Sequence, residues 1–136
     1  MKEYVRPEAV ATDLAEGVFM ASGAAPVGEN HVEIIISNSS MDAAWFLGAG
    51  HWQAGVKWTY EGGHNCKGFR VTAVYDKPVT FYNYYPTMQS LVSGDGTNTL
   101  VIDFMQDEST SGHMMNITVS CDTQATLQQI SAQCYH

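Results

Sequence analysis

The residues best equipped for chemistry in this chain are aromatic: Trp45, Trp52, Trp58, Tyr60, Tyr75, Tyr82, Tyr84 and Tyr85 crowd its middle. A sugar ring presents a flat C–H face on which an exposed Trp or Tyr can stack, while neighbouring amides and carboxylates reach its hydroxyls. Over residues 79–85, strand alternation puts Val79, Phe81, Asn83 and Tyr85 on one side and Thr80, Tyr82 and Tyr84 on the other. Either orientation leaves an aromatic outside. The candidate ligand-binding set is therefore Tyr82, Tyr84 and Trp45 as stacking platforms, with Asn83 and Gln89 as polar partners. Trp52, Val56, Trp58 and Tyr60 alternate along a second stretch and suit a core-facing stripe.

Other chemistries find weaker footing. His64 and Cys66 stand two apart, but the paired short spacings of a structural zinc site are missing. Met114 and Met115 beside His113 suggest soft copper ligation, yet alternation makes one of them core and the other surface. Asp95, Asn98 and Asp103, or Asp107 and Glu108, offer oxygens to calcium without the twelve-residue loop pattern. No GxSxG elbow, phosphate-binding Gly-rich loop or HExxH occurs. The expectation is a protein that is not an enzyme and holds no metal or cofactor.

Three cysteines, Cys66, Cys121 and Cys134, leave one over if a disulfide forms. Cys121 with Cys134 is the favoured pair, since both fall on apolar faces; three reduced, buried thiols are the alternative. Six Lys and Arg against fourteen Asp and Glu give a net charge of −8, which excludes the basic footprint of a nucleic-acid binder. The start of the chain scatters Glu3, Arg6, Glu8, Asp13 and Glu16 where a Sec signal needs an unbroken apolar stretch. No stretch approaches the length of a membrane span, so membrane insertion is not expected.

The elements that would position the aromatics are strands. Residues 1–29 are acidic and Ala-rich with Pro7 and Pro26, and suit an N-terminal arm in which Val18, Phe19 and Met20 form an apolar patch. From residue 30 to residue 136 a period of two dominates, broken by turns every 8 to 12 residues. Val32, Ile34 and Ile36 share a face; residues 51–60 form the clearest strand; Phe69, Val71, Ala73 and Tyr75 form another. Met41, Ala44 and Trp45 predict a helical turn or two. Residues 93–98 predict a hairpin, and a second hairpin is expected to join Leu100, Ile102 and Phe104 to residues 113–121. The tail suits a strand through Ile130, Ala132 and Cys134, or a helix through Leu127, Ile130 and Cys134, with the strand preferred.

Tyr4, Val5 and Pro7, followed by residues 17–23, resemble the leader-like starts of small uncharacterised proteins of anaerobic Gram-positive bacteria, and Gly23 with Ala24 resembles the small pair after which leader peptides are cut. The aromatic-rich strand pattern resembles carbohydrate-binding β-sandwiches in general style. The fold expected is all-β: an antiparallel β-sandwich, jelly-roll or immunoglobulin-like, with a flexible or docked N-terminal arm. The expected role is a non-catalytic secreted or surface binding module for a glycan or other small polar ligand. The alternative is an assembly subunit whose arm pairs with a neighbour's sheet to make a homo-oligomer. Its expected place is extracellular or on the cell surface by a route other than Sec, and otherwise cytoplasmic.

Overall fold

The structure, a computed structural model, describes residues 31–37, 42–62 and 65–135, without the side chains of Asp42 and Trp45. The arm assigned to residues 1–29, including the Gly23–Ala24 pair, lies outside the described residues. Among the described residues nine strands follow one another: β1 (Val32–Ile36), β2 (Asp42–Ala43), β3 (His51–Tyr60), β4 (Gly68–Tyr75), β5 (Thr80–Tyr82), β6 (Gln89–Ser93), β7 (Thr99–Phe104), β8 (Met114–Ser120) and β9 (Leu127–Tyr135). Two short 3-10 turns, Trp45–Leu47 and Glu108–Thr110, are the helical pieces among the described residues. The first answers the helical turn expected there, and β9 confirms the tail as a strand.

The strands form two antiparallel sheets, one in the order β1-β3-β8-β5 with β2 also on β3, the other in the order β6-β7-β4-β9. Alternation decides which side chains meet between them. Ala54, Val56 and Trp58 on β3 and Ile117 and Val119 on β8 face Phe69, Val71, Ala73 and Tyr75 on β4 and Leu100, Ile102 and Phe104 on β7, all fully or almost fully buried. Trp58 is the hub: its ring lies 5.3 Å from Phe69 and 5.9 Å from Phe104. Its indole N–H, which would be costly to bury unbonded, donates to Thr110 Oγ1 at 2.9 Å.

Connectivity departs from the sequence reading at one point. β6 and β7 form the expected hairpin, with Gly94 at φ +92° and Gly96 at φ +81° in its turn. The hairpin expected between β7 and residues 113–121 does not form, because β8 pairs with β3 and β5 in the opposite sheet. The loop 105–113 is a crossover between layers. Apart from β6–β7, each step from β3 to β9 changes sheet, the connectivity of the jelly-roll kind and not of hairpin-rich immunoglobulin domains.

The cysteine pairing is also corrected: Cys66 bonds to Cys134, with Cα atoms 5.8 Å apart, and Cys121 is free. The geometry of β9 explains it. Cys121 directly follows β8, where its N–H donates to Gly50 O, whereas β9 carries Cys134 seven residues, about 23 Å, past Leu127. There Cys134 lies opposite Phe69, and Cys66 stands three residues before that partner.

Candidate functional site

Because Ala54, Ile117 and Val119 point inward and Phe81 packs against the core, their neighbours His51 and Gln53 on β3, Asn116 and Thr118 on β8, and Thr80 and Tyr82 on β5 share the outer face of the first sheet. Gln53, Thr118 and Tyr82 stand in one row across three strands, and His51, Ser120 and Thr80 in the next. The His51 and Tyr82 rings lie 5.2 Å apart at 86°, edge against face. His51 is held in turn by Nδ1 at 3.3 Å from Gly48 O.

Past β5 the chain turns tightly, Tyr84 N–H donating to Tyr82 O and both Met88 and Gln89 N–H to Tyr85 O. This turn presents Tyr84, whose ring is 5.0 Å from Tyr85 at 89° and 5.5 Å from Phe46 at 65°. Phe46 comes from the 3-10 turn after β2. Tyr82 is 37 % exposed and Tyr84 42 %, and Phe46 is exposed beside them. Perpendicular neighbours are the favoured aromatic geometry and restrict the rings' rotation.

Polar groups thread the same face. Asn116 Nδ2 donates to Gln53 Oε1 at 3.3 Å, and the Asn116 amide also lies close enough to the Tyr85 hydroxyl to favour its ionised form. Burial raises the Tyr85 pKa above the usual phenol value, the nearby Tyr84 adds to that, and the Asn116 amide opposes it. The arrangement can stack flat apolar rings and offer amide and hydroxyl groups at their rims.

Of the residues singled out from sequence, Tyr82, Asn83 and Tyr84 are together and exposed. The side chain of Trp45 lies outside the described residues. Gln89 is not part of the surface: it is 1 % exposed, and its Nε2 donates to Asn116 O at 3.0 Å. β5 ends at Tyr82, so on that edge β8 has no strand neighbour before Thr118, and Gln89 supplies a donor to the Asn116 carbonyl there. Phe46, His51, Gln53, Tyr85 and Asn116 were missed. The alternation of β3 already placed His51 and Gln53 opposite its apolar stripe; what was not legible is that β5 lies two strands away across β8.

The acidic groups proposed for calcium have other partners. Asp95 Oδ1 accepts from Phe81 N–H, Asp103 pairs with Arg70, Asp107 Oδ1 accepts from Ser109 N–H and Oγ, and Glu108 Oε2 accepts from Cys66 N–H. The Ser109 bonds hold the Asp107 pKa below its usual value. A cleft of about 540 Å³ lined by His31, Val32, Glu33, Thr59, Tyr60 and Glu61, and a smaller one over Ile35 and Lys57, lie at the other end of β3 from His51. Among the described residues no helix is long and apolar enough to cross a membrane. No family model matches the chain, and no curated protein matches it either.

Proposed function

We propose that this domain is a non-catalytic binding module that takes a glycan or similar polyhydroxylated ligand on the outer face of the β1-β3-β8-β5 sheet. The observation that carries the reading is the pair of exposed tyrosines, Tyr82 and Tyr84, each braced at a steep angle by another ring. Rings fixed before binding lose little side-chain entropy on contact, which is where weak stacking interactions otherwise fail. Asn83, Gln53 and Asn116 are the amides at hand for sugar hydroxyls. The clefts at the far end are not needed, since an open ring surface admits a sugar from within a chain as well as from its end.

The Cys66–Cys134 disulfide fits an oxidising compartment, and with it the extracellular or surface setting where polysaccharides are met. A polysaccharide array probed with the full chain, wild type against Tyr82→Ala/Tyr84→Ala, tests the reading. Binding to at least one glycan, weakened tenfold or more in the double variant, is expected. No bound glycan, or equal binding by the variant, would refute it.

A further inference from the structure

Some 30 Å along β3 from the aromatic face, three metal-ligating side chains converge at the other end of the sandwich. A ring nitrogen of His31, Cys66 Sγ and Cys134 Sγ all lie within 4.8 Å of one another, and all three residues are buried. They come from three separate segments. His31 immediately precedes β1 and is fixed by Glu61 N–H donating to its carbonyl at 2.8 Å; Cys66 precedes β4; Cys134 is near the end of β9. As long as the two sulfurs are bonded to each other, neither is a thiolate, and the cluster is closed to metal.

We propose that reduction of the Cys66–Cys134 disulfide opens a Cys2His site for one zinc ion, with His31 as the nitrogen ligand. A dithiol reductant would give two electrons and two protons to the S–S bond, becoming a disulfide itself; zinc then displaces the two thiol protons to solvent and binds two thiolates and the neutral imidazole. Soft sulfur with imidazole is the donor set zinc prefers over calcium or magnesium. Two thiolates on a tetrahedral zinc stand about 3.7 Å apart. With the Cα atoms 5.8 Å apart, side-chain rotation reaches that spacing without moving a strand.

The surroundings suit a cation. The Glu108 carboxylate lies 2.9 Å from the Cys66 backbone nitrogen. The 540 Å³ cleft is lined by His31 itself, together with Glu33 and Glu61, so the nitrogen ligand of the cluster borders an acidic opening, while the two sulfurs lie buried behind it. This site is distinct from the aromatic face, and its outcome does not depend on glycan binding.

The test compares the full chain, oxidised and after anaerobic reduction, for zinc retained through gel filtration, with cobalt(II) as a spectroscopic probe. One zinc per reduced chain, none per oxidised chain, and a thiolate-to-cobalt charge-transfer band are expected. His31→Ala, which keeps the disulfide and so can be checked for folding while oxidised, should bind at least about tenfold more weakly when reduced, the lower end of what losing even a supporting group costs. His31→Gln serves as a second variant with the same readout. Cys121→Ser should retain zinc unchanged. The proposal is overturned if reduced protein holds no zinc, if both His31 variants hold it as tightly as wild type, if the metal follows Cys121, or if reduction abolishes the β spectrum and zinc does not restore it.

Discussion

Arg70 shows how a charge can be hidden in the outer surface of a sheet. It is 1 % exposed, and its Nε and Nη2 donate to Asp103 Oδ1 and Oδ2 at 2.6 and 2.9 Å, a bidentate pair directly across the β4–β7 ladder. Removing Asp103 takes both of these charge-assisted bonds from a buried guanidinium, so Asp103→Ala should cost about 3 kcal/mol in urea unfolding. Replacing both, as Arg70→Met with Asp103→Leu, should restore most of that loss. Equal destabilisation by the single and double variants would show that the pair is not the source. Asp103 was legible in the sequence only as an acidic residue near a hairpin; which cation faces it depends on a register set by β4 and β7, 33 residues apart at this pair.

At the scale of elements, the β6–β7 hairpin was readable because its turn needs residues that tolerate positive φ. Gly94 has φ +92°, and a Cβ there would lie 2.0 Å from Thr99 O. Gly94→Ala should therefore cost at least about 2 kcal/mol, combining backbone strain with a contact the turn cannot relieve. A denaturation midpoint equal to wild type would disprove it. Gln89, five residues earlier at the start of β6, separates support from binding. Gln89→Ala should destabilise by about 1 to 3 kcal/mol, since it leaves Asn116 O without this donor, yet leave glycan affinity unchanged in protein that is folded. Loss of affinity at full folding would return Gln89 to the ligand set. The strands themselves were legible from alternation in β1, β3, β4 and β7. The partners of β8 and Cys134 were not, because after β3 the chain changes layer at every loop but the β6–β7 turn, and period-two patterning is blind to which layer a strand joins.

For the molecule as a whole, the tyrosines divide by what the fold asks of the neutral phenol. Tyr75 is buried, and burial alone raises its pKa; Tyr60, whose hydroxyl donates to Gln106 O, is raised by burial and then by Tyr135, Asp107 and Glu108. Tyr135 is raised by burial and by Asp103, against an opposing pull from Arg70, and Tyr85 by burial. In the unfolded chain each ionises near pH 10. A folded pKa above the unfolded one means the native state holds its protons longer, so these groups' contribution is complete below about pH 10 and is lost as pH climbs through the folded values. Stability measured by urea unfolding should stay level with respect to these groups through neutral pH and fall steeply above about pH 10. Phenolate absorbance should follow the same division, with part of the signal from the seven tyrosines appearing only once the β spectrum collapses, and all of it near pH 10 in denaturant. A native titration that overlays the denatured one would mean that Tyr60 and Tyr75 are open to water, and with them the interface where Trp58, Phe69 and Phe104 join the two sheets.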